Sequence, residues 1–599
     1  MAKLAFTTRP ELQGKFGMVT TTHWLASAAG MAMLEKGGNA FDAAIAAGFA
    51  LQVAEPHLNG PGGELPAVFF ANKDGKPRVL CAQGSAPAGA TIDAFQKLGL
   101  DLIPGSGLLP AVVPGAFDGW LKLLADYGTL SLREVLAYAI DYAEQGVPVL
   151  PKIAEFASRV APLFREHWPS SAEVYLKGGN PPAVGEWMTN RTLAATYRRI
   201  LDEAEASSGD RLRQIETARD IWYKGWVADA IDRFYRNETL LDSSGRAHSG
   251  LMTGDDLAAW SARYEDPVTL DYGRYTVCKC GFWSQGPVLL QQLALLRDMG
   301  LSDMDAAGPE FVHTVVEAAK LAFADREAWY GDPDFTDVPA DVLLSDAYAR
   351  ERRALMGDTA SLDLRPGSPL GRNPNIAAAL AADGDPGAIG HYWSLGEPTV
   401  TPMGEARGDT VHIDVIDRDG NMISCTPSGG WLQSAPVVPE LGFCMSVRGQ
   451  MFWLDGDAAT SLEPGKRPRT TLSPSLAMRD GEPYMVWGTP GGDQQDQWSL
   501  LLFLHHVEHG MNLQEAIDTP AFHSEHFPGS FWPRARHPGK LAVEGRFGAR
   551  TIDTLKAQGH KVQVGGDWSE GRLTAAAKDG DVLKAAANAR GMQGYAAGR

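Results

Sequence analysis

Thr410 is the first candidate for covalent chemistry in this chain, standing in Gly408-Asp409-Thr410-Val411-His412. A threonine that opens a strand is ordinarily a β-former. Its hydroxyl is a poor nucleophile at neutral pH, and no serine-protease-like triad surrounds it in the sequence. A free α-amine, titrating near ~7.7–8.0, can act as its base, but inside an intact chain that amine is an amide. Pro490-Gly491-Gly492 reads as a turn. The densest histidine group is His505, His506 and His509. His505 and His509 share a helix face, but the glutamate of a His-Glu-x-x-His motif is missing, so a surface or core role is expected and no metal. Neither a Gly-x-x-x-x-Gly-Lys-Ser/Thr loop nor a strand-anchored Gly-x-Gly-x-x-Gly is present, which excludes the common nucleotide cradles and predicts no cofactor.

The elements that must position these residues follow from periodicity. Val411, Ile413 and Val415 alternate with polar residues, and Asp417-Arg418-Asp419-Gly420-Asn421 turns the chain into Met422–Thr426, so a β-hairpin is predicted to begin at Thr410. Strands are predicted at Ala67–Phe70, Ser475–Met478 and Tyr484–Trp487, and a helix over Trp498–His509. Leu25–Leu34 and Ala40–Val53 read as an αα-hairpin, with Asn39 as N-cap and Asp42 in the capping-box position. From about Ala116 to Met356 the chain is helix-dominated, Phe311, Val315, Ala319 and Ala322 marking one amphipathic helix. Between about Gly357 and Gly408 no template holds, as in a functional loop or a segment freed by processing.

Composition narrows the partners. The 599 residues carry a formal charge of −19 without a basic run, which argues against nucleic acid and acidic lipid and for small molecules. Five cysteines form no even framework and are expected to be reduced thiols. No export signal is visible near the start, and Ala43–Ala54 is too short to cross a bilayer, so a cytoplasmic protein is expected.

Gly37-Gly38-Asn39-Ala40-Phe41-Asp42-Ala43-Ala44, Glu55-Pro56-His57 with its glycine turn, Val316-Glu317-Ala318 with Ala324-Asp325-Arg326, and Gly331-Asp332-Pro333-Asp334-Phe335 occur in order ahead of Thr410-Val411-His412. Pro464-Gly465-Lys466-Arg467-Pro468 and Gly488-Thr489-Pro490-Gly491-Gly492 follow it. Together, from about Gly17 to Gln558, they resemble the γ-glutamyltransferase (glutathione hydrolase) family, in its divergent branch. The resemblance implies an α+β fold, a four-layer αββα sandwich of the N-terminal-nucleophile hydrolase type. It implies a precursor cut between Asp409 and Thr410, with residues 1–409 and 410–599 as two subunits of one domain. Thr410 then serves in its own release and in turnover, through an acyl-enzyme passed to water or an amine. By the same resemblance Gly491 and Gly492 offer backbone N–H groups to the oxyanion, where the lack of a Cβ permits close approach. Ser428 is either a turn residue or the hydroxyl partner of the nucleophile, and Thr470 and Thr471 stand where relatives hold the substrate carboxylate.

Two positions depart from the pattern. The family's arginine in an Arg-x-x-Ala-Pro context is Gln83 here, which lacks the charge and fork of a guanidinium. No carboxylate stands where the substrate amine is expected to bind; the stretch holds Arg448, either in a local ion pair or as a relocated anion site. Small-amide hydrolysis of the oxamate or cephalosporin type is therefore expected above γ-glutamyl specificity, with a non-catalytic binding relative as the rival reading. A higher oligomer is compatible with the sequence.

Overall fold

Residues 6–381 and 410–599 are described by the computed structural model. Alternation along the strand Ile413–Asp417 divides its side chains between two cores. Ile413 and Val415 join Val19, Ala43, Ala47 and Phe69 under a layer of helices, while Ile416 joins Met18, Val68, Leu476 and Val486 between two sheets. A strand buried on both faces fits a sheet covered by helices on one side and by a second sheet on the other.

The first sheet runs Tyr595–Gly598, Gly17–Thr21, Ile413–Asp417, Met422–Cys425, Leu65–Ala71, Lys76–Ala82 and Arg263–Glu265. The second runs Leu12–Gly14, Val582–Ala587, Thr574–Asp579, Glu482–Gly488, Ser475–Arg479, Tyr275–Lys279 and Val268–Tyr272. Every neighbouring pair is antiparallel. Helices Trp24–Glu35 and Ala40–Ala54 cover the first sheet; Pro287–Leu296, Pro309–Trp329 and Gln495–Val507 cover the second. The result is the expected α+β sandwich in four αββα layers, each sheet mixing segments from before and after Thr410.

The helical hairpin is present, and Asn39 and Asp42 form the reciprocal capping box. All five cysteines are free and buried. Among the described residues no helix is long and apolar enough to cross a membrane.

Two expectations need correction. The strand after Thr410 starts at Ile413, three residues later than predicted. Pro427 stands opposite Val411 and has no N–H to give, so the regular ladder stops and only the Val411 N–H to Pro427 carbonyl bond and a Thr410–Ser428 bridge continue it. Helix Pro309–Trp329 is buried all round from Phe311 onward rather than amphipathic. Its polar residues have partners of their own: Lys320 donates to Glu317 at 2.6 Å, and Trp329 Nε1 donates to the Gly367 carbonyl at 3.1 Å. Of the irregular stretch, residues 357–381 hold only the turn Pro369–Gly371 and the short helix Ala377–Ala381, and the remainder lies outside the described residues.

Candidate active site

Thr410 is fully buried, and its Oγ1 donates to Ser428 Oγ at 3.2 Å. Ser428 is fixed from its other side by Glu64: the Glu64 N–H donates to the Ser428 carbonyl at 2.8 Å, and the Ser428 N–H returns a bond to the Glu64 carbonyl at 3.2 Å. Two residues after Thr410, His412 is engaged through both ring nitrogens, Nδ1 with Thr426 Oγ1 and Nε2 with Asp414 Oδ1, each at 3.0 Å. Gly488 of the second sheet packs on this ring so closely that a Cβ there would overlap it. His412 thus ties the sheets together and is not a base for Thr410.

Arg448 is the cation of the site. Its Nη2 donates to Ser428 Oγ at 2.6 Å, Nη1 to Thr471 Oγ1 at 3.3 Å and Nε to Glu64 Oε2 at 3.3 Å. The guanidinium lies 5.0 Å from the Trp431 ring and 5.6 Å from Phe531. Glu64 also accepts from Ser446 Oγ. Burial pushes its carboxyl up to about 7, although Arg448 and Ser446 pull the other way. Of the two readings of Arg448, the ion pair is what the structure contains. Its partner is 384 residues away in sequence rather than local, and all three guanidinium nitrogens are committed within the protein.

Thr470 and Gly492 join through Gln285. Its backbone N–H donates to the Thr470 carbonyl at 2.8 Å and its Nε2 to the Gly492 carbonyl at 3.1 Å, while its Oε1 accepts from Arg326 Nη1 at 2.9 Å. Arg326 is buried against Glu327 and Asp493. Gly491 has φ 134° and the Trp498 ring lies where its Cβ would stand, so no other residue fits there without displacement. Thr410, Ser428, Arg448 and Thr471 therefore form one hydrogen-bonded chain, and Thr470, Gln285 and Gly492 a second, joined at the adjacent Thr470 and Thr471.

Gln83 is not part of either. It is buried, its Nε2 donates only to the Gly84 carbonyl at 3.2 Å, and it lines a separate cavity of about 700 Å³ with Trp260, Arg263 and Arg467. Asp409 lies outside the described residues. Sequence reasoning missed Glu64 and Gln285. Glu64 directly follows the glycine turn, the one signal near it in the sequence; in the structure Gly429, with φ 80°, leaves no room for a Cβ beside the Glu64 carboxylate. Nothing around Gln285 marked it.

His505 and His509 pack on Phe311, and His506 contacts Tyr484 and the Met511 carbonyl. Among the described residues His313, Glu317 and His560 bring three possible metal ligands together. There, however, Lys320 and Arg365 already sit on Glu317, and a cation would have to displace them.

The sequence matches the family described as gamma-glutamyltranspeptidase over residues 26–598. It is 32% identical to the oxamate amidohydrolase proenzyme of Klebsiella pneumoniae over 563 residues, 92% of each chain. The structure superposes on that of LmbA2991HD with a TM-score of 0.92 at 53% identity, covering 99% of this chain and 100% of the other. It superposes on cephalosporin acylase from Bacillus halodurans with a TM-score of 0.81 at 29% identity, covering 100% and 98%. With this sandwich, and a buried threonine three residues ahead of a central strand, the chain belongs to the γ-glutamyltranspeptidase family and is an enzyme of the N-terminal-nucleophile hydrolase type.

Proposed function

We propose that the protein is a self-processing amidohydrolase that breaks its own Asp409–Thr410 bond and then uses Thr410 as nucleophile on a small amide. The observation that carries this reading is the buried Thr410 hydroxyl held 3.2 Å from Ser428 Oγ. In the cut protein the new α-amine takes the Thr410 proton, the alkoxide attacks the amide carbonyl, and the tetrahedral intermediate breaks its C–N bond as the α-ammonium returns the proton to the leaving amine, while Ser428 stays as the hydroxyl partner. Arg448, donating to Ser428 Oγ, leaves that oxygen's own proton to be given outward and makes it a stronger donor. The N–H groups of Gly491 and Gly492 receive the oxyanion, a contribution of ~2.7–4 kcal/mol per donor. The acyl group on Thr410 passes to water, or to an amine where one is admitted. Residues 1–409 and 410–599 are then the large and small subunits.

Gln83 and the committed Arg448 favour a substrate other than a γ-glutamyl compound, which supports the oxamate-type or acylase-type reading; some relatives carry such names, while others at similar identity are named glutathione hydrolase or glutathione hydrolase-like. Purified protein should split into two polypeptides, the smaller beginning Thr-Val-His-Ile-Asp, and Thr410→Ala should stay one chain. A Thr410→Ala protein that still splits at this bond overturns the reading.

A further inference from the structure

Joined to the Thr470–Gln285–Gly492 chain is a cluster of buried charges that the proposed reaction does not use. Arg326 is fully engaged there: Nε and Nη2 donate to Glu327 Oε1 at 3.0 and 2.7 Å, and Nη1 donates to Gln285 Oε1 and to Asp493. Asp493 also accepts from the Ser530 N–H at 2.8 Å and from Ser530 Oγ at 2.6 Å. Arg469, the residue before Thr470, donates from Nη2 to Glu327 Oε1 at 3.1 Å. Arg534 donates from Nη1 to the carbonyls of Met451 and Phe452, at 3.2 and 3.1 Å. Met451 follows Arg448 by three residues and Phe531 precedes Arg534 by three, and both touch the Arg448 guanidinium, so Arg534 too is anchored beside the active site.

Two of these guanidiniums are only partly used. Arg469 and Arg534 are each 1% exposed, yet among the described residues Arg469 Nε and Nη1 and Arg534 Nε and Nη2 have no hydrogen-bond partner. The Trp453 ring, 3.7 Å from the Arg534 guanidinium carbon, covers one face and takes none of the in-plane N–H groups. A buried donor without an acceptor is costly, and a guanidinium does not escape by giving up its proton. Burial pushes Arg469 down to about 10, with Arg326 adding to the push, and pushes Arg534 down to about 9, where Glu327 offsets part of the effect and Arg469 and Arg326 add to it. Asp493 stays ionised despite its burial because Arg326 and Ser530 hold it so. Arg326, Arg469 and Arg534 thus face Glu327 and Asp493, and the cluster carries one positive charge in excess. Buried charges of this kind are paired or hold an ion.

We infer that Arg469 and Arg534 form a binding site for a small carboxylate. Shape and charge both point to that class. The Nε–H and Nη2–H of Arg534 project side by side from one edge of the guanidinium, the fork that a carboxylate meets with both of its oxygens. Arg469 supplies Nε–H and Nη1–H as further donors. A single negative charge balances the cluster, and a dianion would overshoot it. The carboxylate belongs to the amide substrate, as a second group beside the scissile bond, or to a free small acid; the same N–H groups hold either. Its assignment to the substrate rests on Thr410 being the nucleophile; binding of the carboxylate does not.

Calorimetric titration of the wild-type protein with formate and with formamide, which has the same shape and no charge, tests the site. Formate should bind, and formamide at least tenfold more weakly. Arg534→Gln should weaken formate roughly ten- to a hundredfold, the loss of one charge-assisted contact. Arg469→Lys, which keeps a cation beside Glu327 and removes the Nε and Nη1 donors, should weaken it several-fold and serves as the second variant if Arg534→Gln fails to fold. Equal binding of the two probes, no binding of formate, or wild-type formate affinity in a folded Arg534→Gln or Arg469→Lys protein overturns the site. Steady-state inhibition separates the two sources: formate that competes with the amide substrate assigns the site to a substrate carboxylate, and formate that binds without competing overturns that assignment and leaves a free acid. A denaturing gel of the same sample separates the site from the nucleophile: protein that splits but does not take formate sinks the site alone, and protein that takes formate but stays intact sinks the Thr410 reading alone.

Discussion

Replacing Arg448 by Met should act on stability and on chemistry separately, and the two effects can be sized from its contacts. Removing one member of a buried ion pair costs about 3–5 kcal/mol when the remaining charge stays ionised. Here that charge is Glu64, whose carboxyl burial already pushes up to about 7 and which loses its opposing cation in the variant. The sign follows: a carboxyl raised in the folded state stabilises below its unfolded value of about 4.5, and that stability is lost as pH rises through the folded value. At pH 6 Glu64 keeps its proton in either protein, and the variant loses mainly hydrogen bonds, about 1–2 kcal/mol. At pH 8 the wild type has an ion pair to lose, while Glu64 of the variant, without its cation, still holds its proton, so the cost grows by about 1.4 kcal/mol for the one pH unit above the wild-type value. Thermal melts of Arg448→Met against wild type should therefore diverge as pH rises from 6 to 8, while Arg448→Met made in a Glu64→Gln background should differ from Glu64→Gln alone by the same amount at both pH values. Chemically, the lost bond to Ser428 is worth ~1.5–3 kcal/mol, so self-cleavage followed on a gel should slow roughly ten- to a hundredfold. A pH-independent melting difference would refute the pairing argument; cleavage at the wild-type rate would refute the link from Arg448 through Ser428 to Thr410.

Other expectations follow from single contacts. Gln83→Ala should leave turnover of the best substrate within about twofold of wild type, far less damage than Arg448→Ala, because Gln83 donates only to its neighbour's carbonyl; steady-state kinetics compare them. Gly491→Ala should fold poorly and turn over at least a hundredfold more slowly, since its Cβ meets Trp498 at φ 134°; a variant with normal activity would remove Gly491 from the oxyanion role. His523 is buried, which opposes its charge, yet Glu570 and Glu525 raise it to about 9. That stability, about 3 kcal/mol, is fully present below pH 6.5 and lost as pH rises through 9, so melting temperature should fall across this window and His523→Gln should flatten the fall. Asn39→Ala should cost about 0.5–2 kcal/mol in melts by removing the capping box.

Where one residue's chemistry decides a local choice, the sequence was readable. Asn39 and Asp42 announce a helix start, and the alternation through Ile413 and Val415 announces a buried strand. Thr410 and Ser428 could be paired only through family resemblance, because nothing in their spacing says that Pro427 interrupts the ladder between them. Arg448 and Glu64 show the limit most clearly. An ion pair spanning 384 residues leaves no local trace, so Arg448 could be read as ion-paired but not with which carboxylate. Helix Pro309–Trp329 was legible as a helix but not as one surrounded on all sides, since that depends on what the rest of the chain packs against it.

The interleaving of the two sheets bears on the order of events in the life of the chain. Ile413–Asp417 is bonded on one side to Gly17–Thr21, and Met422–Cys425 is bonded to Leu65–Ala71, so strands that follow the proposed cut are stitched between strands that precede it. Neither piece made separately can close a sheet; each would expose open strand edges, which are templates for aggregation. A cut at Asp409–Thr410 made too early would thus be fatal, and one made after assembly would cost the architecture nothing. Ser428, the partner of the Thr410 hydroxyl, is itself held by backbone bonds to Glu64, so the pair reaches its final setting only once the hairpin after the proposed cut has docked beside Leu65–Ala71, and a cut made there would be a timestamp of that docking.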